Sequence, residues 1–73
     1  MIEIYGKHAC AFCEKAKWLC ESEGLEYTYR TLDKDYTQQE FFEMFPTARS
    51  FPQIVANGQL IDGYDAFEKS LKN

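Results

Sequence analysis

The most constraining feature of this chain is a single Cys-x-x-Cys motif at positions 10–13, placed where a short strand runs into a helix. Residues 1–5 alternate as a strand does, residues 6–9 form a loop, and residues 12–23 have the period of an amphipathic helix. Cys10 is therefore expected at the first helical turn, where unpaired N–H groups and the helix dipole stabilise a thiolate. A second thiol three residues on can resolve the mixed disulfide that forms first. The motif predicts dithiol exchange chemistry.

The length and composition of the chain limit its size and its partners. Seventy-three residues predict one domain, residues 1–73, and a composition that is 45% hydrophobic and 16% aromatic can supply a dense core. The net charge of −4 argues against nucleic acid as a general partner. No apolar run of about 18 residues occurs, so no membrane span is predicted.

The start of the chain and its cysteines predict the cellular compartment of the protein. The first residues form a strand that contains the acidic Glu3, so no signal peptide is predicted. Three cysteines are an odd number and lack the spacing of a disulfide framework. We therefore expect a cytoplasmic protein with redox-active thiols, and we expect it to be a monomer.

The rest of the pattern predicts three more strands and two more helices. A capping box at residues 37–40 opens the second helix, which Pro46 ends, and Asn57-Gly58 is a hairpin turn. The other expected boundaries are residues 27–32, 53–56 and 59–61 for strands and residues 64–71 for the last helix. The order β-α-β-α-β-β-α predicts an α/β fold, a small four-stranded mixed sheet with three helices on both faces.

Helical periodicity also predicts which side chains enter the core. The expected inward residues are Phe12, Ala16, Leu19 and Cys20 on the first helix and Phe67 and Leu71 on the last. On this interpretation Cys20 is a small core residue and takes no part in the exchange chemistry.

A zinc site is an alternative use of the thiols. His8, Cys10, Cys13 and Cys20 supply four possible ligands. Cys13 and Cys20 lie seven residues apart on one helix, about 10 Å at the helical rise. Two sulfurs on one zinc ion lie within roughly 4 Å of each other, so the helix would have to break. Helix geometry therefore favours the redox interpretation.

The loop before Cys10 carries two more candidates. Lys7 can bring positive charge to the thiolate or bind a carboxylate, and a solvated lysine is an equal alternative. His8 can tune Cys10, although an exposed loop histidine is the simpler interpretation.

Two further segments have the character of binding elements. Residues 50–53, Ser-Phe-Pro-Gln, put a proline at the start of a strand, where a cis bond would leave the backbone of Phe51 free for an extended peptide. Residues 62–65, Asp-Gly-Tyr-Asp, put a glycine before a helix start, where free N–H groups can bind an anion. Asp65 either caps this helix or binds an ammonium group.

These three features, in this order, resemble the glutaredoxin family of the thioredoxin-like fold. The likeness covers essentially the whole chain and rests on residues 5–13 (Tyr-Gly-Lys-x-x-Cys-x-x-Cys), 47–53 (Thr-Ala-Arg-Ser-Phe-Pro-Gln) and 63–65 (Gly-Tyr-Asp). It implies a thiol-disulfide oxidoreductase that uses glutathione as reducing co-substrate and needs no metal. Protein disulfides are the implied substrates, with ribonucleotide reductase among those expected from the family.

The resemblance also implies residue roles. Cys10 would be the nucleophile and Cys13 the resolving thiol. Lys7, Gln39 and Arg49 would meet the glycine carboxylate of glutathione.

The other end of glutathione would lie against the later segments. Phe51 would pair its backbone with the cysteinyl unit beside a cis Pro52. The N–H groups of Tyr64 and Asp65 would receive the γ-glutamyl carboxylate, and the Asp65 side chain would receive the ammonium group. Phe12 and Gly63 complete the implied glutathione-binding set.

The chain departs from the family pattern at three positions. Ala11 stands where proline is common, Phe51 where valine is usual, and Asp62 where glycine is common, which adds negative charge beside the γ-glutamyl carboxylate. Two related activities remain as alternatives. One is a redoxin that takes electrons from thioredoxin reductase, and the other is a dimer that holds an iron–sulfur cluster.

Overall fold

A computed structural model describes residues 1–72 as four strands and three helices. In chain order the elements are β1 (Ile2–Gly6), α1 (Ala11–Ser22), β2 (Tyr27–Thr31), α2 (Gln38–Met44), β3 (Gln53–Ala56), β4 (Gln59–Asp62) and α3 (Tyr64–Lys72). The predicted order of elements is confirmed. Among these residues no helix has both the length and the apolar character needed to cross a bilayer.

The four strands form one mixed sheet in the order β2-β1-β3-β4. Strands β1 and β2 are parallel and are connected through α1, whereas β3 is antiparallel to both β1 and β4. Ile4 lies at the centre of this sheet, with Tyr29 as its partner on one side and Ile54 on the other. The predicted α/β architecture is confirmed.

Each face of the sheet is covered by its own apolar cluster, because successive residues of β1 point to opposite faces. Ile4 is buried with side chains of α1 and α3, including Cys20 and Phe67. Tyr5 is buried on the opposite face with the aromatic side chains of Tyr36, Phe41 and Phe45 around α2. Cys20 is a buried core residue, as predicted.

On the first helix the expected inward residues Ala16 and Cys20 are confirmed as buried, whereas the prediction for Phe12 is wrong. Phe12 was expected to face the core, but 52% of its surface is exposed, and Cys13 occupies the inward position with 0% exposed. The buried set on α1 is Cys13, Ala16 and Cys20, an i, i+3, i+7 series that a helix places on one face. Of the other expected inward residues, Leu19 and Leu71 are half-buried at the edge of the cluster and Phe67 is fully buried. The prediction placed Phe12 in the core because its side chain is large and apolar, but the buried face of α1 begins at Cys13.

Two local signals are confirmed at atomic detail. Thr37 accepts a hydrogen bond from the N–H of Glu40 at 3.1 Å, and Glu40 accepts one from the N–H of Thr37 at 2.8 Å, which is the predicted capping box. Asn57 and Gly58 both have positive φ, 53° and 82°, as a tight hairpin turn between β3 and β4 requires.

Candidate active site

Cys10 is the N-cap residue of α1. Its backbone is extended, with φ −123° and ψ 107°, and its Sγ accepts a hydrogen bond from the backbone N–H of Cys13 at 3.3 Å. This N–H is one of the donors that a helix start leaves without a helical partner. The side chain is half-buried, so the sulfur sits on a helix N-terminus and remains accessible to a substrate. The positive end of the helix dipole is therefore directed at this sulfur.

Cys13 lies one turn further along α1 and is fully buried. Burial raises the pKa of its thiol from 9.0 to about 12, and a hydrogen bond with Cys10 acts in the same direction. The backbone of Lys7 and the hydroxyl of Tyr29 act on this pKa in the opposite direction and only partly compensate. Cys13 is therefore protonated at neutral pH, which suits a thiol that reacts second.

The space around Cys13 depends on Gly6, a residue that the sequence did not single out. A Cβ atom at this position would lie 2.8 Å from Cζ of Tyr29, closer than such atoms pack, and 3.1 Å from Sγ of Cys13, which is tighter than most contacts. Tyr36 donates a hydrogen bond from its hydroxyl to the carbonyl of Gly6 at 2.6 Å. One indication for Tyr29 was available in the sequence, because alternate residues of a strand share a face and Tyr29 lies on the face of β2 toward α1.

Lys7 follows β1 directly and lies beside Phe51 of the segment before β3. Its Nζ is 5.3 Å from the ring centroid of Phe51, within the range of a cation–π contact. It also lines, together with Cys10, an open pocket of about 720 Å³. His8 lines the same pocket, and its side chain is exposed.

The segment before β3 forms a wall next to the dithiol helix. The peptide bond between Phe51 and Pro52 is cis, as the family resemblance implied, and Pro52 is buried. The ring of Phe51 stacks on that of Phe41 with centroids 4.5 Å apart, which attaches this wall to the aromatic cluster around α2.

A second pocket, of about 290 Å³, joins residues that are distant in sequence. Phe12 and Tyr64 face each other across it with ring centroids 6.1 Å apart. The lining residues are Phe12, Ser50, Phe51, Asp62, Gly63, Tyr64 and Asp65. Gly63 has φ 93°, and its carbonyl accepts the first helical hydrogen bond of α3, from the N–H of Phe67 at 3.2 Å. The N–H groups of Tyr64 and Asp65 are thus first-turn donors without a helical partner.

Gln53 was not predicted as part of this site, yet it connects two sides of the second pocket. Its side chain is 1% exposed, and Nε2 donates to the carbonyl of Ser50 at 2.9 Å and to Oδ1 of Asp62 at 2.8 Å. The Asp62 carboxylate is therefore held by a neutral donor. Such a partner is visible only once the register of β3 and β4 is known.

Two predicted glutathione ligands lie apart from these pockets. Gln39 on α2 and Arg49 in the loop before β3 are exposed, and neither lines either pocket. Their assignment stays a prediction. Within residues 1–72 no group of three or more His, Cys, Asp or Glu side chains is arranged to hold a metal ion.

Comparison with known proteins identifies the family. The glutaredoxin family model matches residues 2–61. Glutaredoxin 3 of Escherichia coli K12 is 31% identical over 64 residues, which span 88% of this chain and 77% of that protein. The chain belongs to the glutaredoxin family. As a glutaredoxin it is a thiol-disulfide oxidoreductase with a thioredoxin-like fold.

Solved structures agree with this glutaredoxin fold. The reduced E. coli glutaredoxin superposes with a TM-score of 0.79 at 26% identity, over 97% of this chain and 92% of that one. Glutaredoxin 1 of Francisella tularensis gives a TM-score of 0.83 at 18% identity, over 97% and 91% of the two chains. The E. coli NrdH-redoxin, described as having a thioredoxin-like activity profile, gives 0.76 at 20% identity, over 99% and 93%. At these last two identities the likeness concerns the fold alone.

Proposed function

We propose that this glutaredoxin reduces protein disulfides and glutathione mixed disulfides through Cys10 and Cys13, with glutathione as the reductant. One observation carries the proposal: an accessible sulfur, that of Cys10, accepts a helix-terminal N–H at 3.3 Å while the thiol of Cys13 is buried one turn below. This asymmetry separates an attacking thiol from a resolving thiol.

The reaction consists of two displacements on sulfur followed by re-reduction. The Cys10 thiolate attacks a substrate disulfide, forms a mixed disulfide and releases the first substrate sulfur as a thiolate that takes up a proton. Cys13 then attacks the Cys10 sulfur, forms the Cys10–Cys13 disulfide and releases the second substrate thiol. Two glutathione molecules reduce that disulfide and leave as glutathione disulfide.

The charges around the second pocket support glutathione as the ligand. On one side, Lys7 offers a cation near Phe51 for the glycine carboxylate. On the other side, the first-turn N–H groups of Tyr64 and Asp65 offer donors for the γ-glutamyl carboxylate, and the Asp65 carboxylate offers an acceptor for the ammonium group. The family resemblance alone assigns Arg49 and Gln39 to the same glycine carboxylate, since both side chains are exposed and neither lines these pockets.

The remaining parts of the proposal concern the domain, the oligomeric state, the protein substrates and the compartment. We assign residues 1–73 to one glutaredoxin domain acting as a monomer on protein disulfides, with ribonucleotide reductase as one substrate of the expected kind. A dithiol reductant of this type works where thiols are kept reduced, as in the cytoplasm.

A coupled assay tests the electron donor directly. Oxidised protein is supplied either with glutathione, glutathione reductase and a nicotinamide donor, or with thioredoxin reductase and the same donor. Turnover with glutathione alone is the expected result, and turnover only with thioredoxin reductase would replace glutathione in the proposal. A brown protein after anaerobic purification, with an iron–sulfur absorption spectrum, would instead indicate a cluster-binding dimer.

A further inference from the structure

In the second displacement the attacking sulfur is buried, whereas the Cys10 sulfur that attacks first is accessible. The attacking sulfur, Cys13, is fully buried, and its pKa is raised to about 12 mainly by that burial. During attack the sulfur nevertheless develops negative charge in a position that water does not reach. A donor already in place beside the sulfur would stabilise this charge.

Tyr29 is the side chain positioned to supply such a donor. It extends from β2 toward the start of α1, and its ring and the Cys13 sulfur border the same small space: a Cβ atom at Gly6 would lie 2.8 Å from Cζ of Tyr29 and 3.1 Å from that sulfur. The Tyr29 hydroxyl also lowers the pKa of the Cys13 thiol, as a polar group beside the sulfur would. Within residues 1–72 the hydroxyl of Tyr29 makes one hydrogen bond, to the carbonyl of Lys7 at the long distance of 3.5 Å. The close approach of Tyr29 and Cys13 is possible because Gly6 has no side chain.

The other tyrosine near Cys13 does not fit this role. The hydroxyl proton of Tyr36 is directed to the carbonyl of Gly6 at 2.6 Å, a short and buried hydrogen bond. Tyr29 makes no comparably short bond, so its proton is available to the sulfur.

We propose that Tyr29 is a catalytic residue of the resolving step, donating a hydrogen bond to the Cys13 sulfur as that sulfur attacks the mixed disulfide. This inference rests on the dithiol function proposed above and adds a residue to it. In the step, the Cys13 sulfur to Cys10 sulfur bond forms and the Cys10 sulfur to substrate sulfur bond breaks. The electron pair of the broken bond leaves on the substrate thiolate, which takes up the proton that Cys13 has lost. Tyr29 keeps its own proton throughout.

The ionisation of Tyr29 is consistent with a donor and not with a base. Burial raises the pKa of its phenol, and the neighbouring Cys13 acts in the same direction. Glu14 and Cys10 also raise it, whereas the Nζ of Lys17 lies 5.3 Å from the centre of the ring as a cation. The phenol therefore stays protonated at working pH.

A chromogenic aromatic disulfide, dithiobis-nitrobenzoate, separates the two displacements. Attack by Cys10 releases one thionitrobenzoate at a rate that depends on reagent concentration. Attack by Cys13 on the resulting mixed disulfide releases the second at a rate that does not. Tyr29→Phe should slow the second phase about tenfold or more, since a hydrogen bond to a charged group is lost, and leave the first phase unchanged.

Control variants make the result specific. Tyr27→Phe removes a hydroxyl from the same strand, one that donates to Glu21 at 2.6 Å, and should change neither phase. In a Cys13→Ser background, Tyr29→Phe should have no effect on the single remaining phase. Equal slowing of both phases by Tyr29→Phe, or an unchanged second phase, would overturn the role of Tyr29 while leaving the dithiol function standing. Absence of a concentration-independent phase in the unmodified protein would overturn the dithiol function itself.

Discussion

Gln53 donates a hydrogen bond from Nε2 to the carboxylate of Asp62 at 2.8 Å, across the first register pair of β3 and β4. The same amide nitrogen donates to the carbonyl of Ser50 at 2.9 Å. One buried side chain thus connects the strand end that precedes α3 with the loop that precedes the cis proline. Both segments line the second pocket. The shape of that pocket therefore depends on a residue that does not line it.

Replacing Gln53 by Leu should destabilise the protein and loosen the second pocket. The substitution leaves the Ser50 carbonyl without this partner and removes a hydrogen bond to a carboxylate, together worth about 2 kcal/mol of the free energy of unfolding. Urea denaturation measures the loss, and the KM for glutathione should rise. The matched control is Gln59→Leu on exposed β4, which should change stability by no more than about 0.5 kcal/mol. Equal stability of the two variants would contradict this account of Gln53.

Replacing Asp65 by Ala should weaken the binding of glutathione more than it slows attack on a generic peptide disulfide. The carboxylate is expected to accept a charge-assisted hydrogen bond from the ligand ammonium, worth roughly 1.5–3 kcal/mol, so the KM for glutathione should rise about tenfold or more. Steady-state kinetics with both substrates measure the difference. Glu23→Ala, which removes the same charge at the far end of α1, is the control and should leave both unchanged. An equal effect of Asp65→Ala on both reactions would exclude this contact.

The three cysteines should react with iodoacetamide in the order of their accessibility. Cys10 is partly exposed at a helix start, whereas Cys13 and Cys20 are fully buried. Mass spectrometry of peptides from the reduced protein at neutral pH should show Cys10 modified first, with Cys20 as an internal reference for a buried thiol. Cys10→Ser should abolish all exchange, and Cys13→Ser should retain only the removal of glutathione from mixed disulfides. Faster modification of Cys13 than of Cys10 would reverse the assigned roles.

The stability of the reduced protein should fall as the pH rises above about 9. Burial raises the pKa of Cys13 from 9.0 to about 12, so the folded state holds this proton over a pH range in which the unfolded state releases it. The stabilisation is fully present below pH 9 and is lost as the pH approaches 12. Cys20 contributes in the same direction. Denaturation midpoints measured between about pH 8 and 9, below the ordinary tyrosine pKa of 10.0, should fall less steeply in Cys13→Ser. An identical slope in both proteins would show that Cys13 does not carry the effect.

The order of the secondary structure elements could be predicted because each one carries its own local signal. The capping box at Thr37 and the turn at Asn57 depend on neighbouring residues only, and both are found as expected. Phe12 shows the limit of this reasoning. Its exposure depends on the rotation of α1 against the sheet, and it packs with Tyr64, a partner far along the chain.

The sequence motifs of the candidate site could be predicted, but the side chains that pack around those motifs could not. Cys10 and Cys13 stand out because a three-residue spacing at a strand-to-helix junction has a chemical meaning. Gln53 carries no such signal, and the strand alternation that places Tyr29 toward α1 gives it no chemical role, since an amide or a phenol acquires a function only from its neighbours. Those neighbours are set by strand register and by the packing of α1 on β2.

The close packing at Gly6 has a consequence for the history of this protein. Any side chain at position 6 would collide with the ring of Tyr29 and crowd the sulfur of Cys13. In a lineage that carries this tyrosine, a larger residue at position 6 requires the Tyr29 ring to move away from Cys13 or to be replaced by a smaller side chain. The two sites are therefore coupled, and the effect of a substitution at one depends on the residue at the other. Reconstructed ancestors that have a larger residue at position 6 should lack the tyrosine or hold its ring away from Cys13.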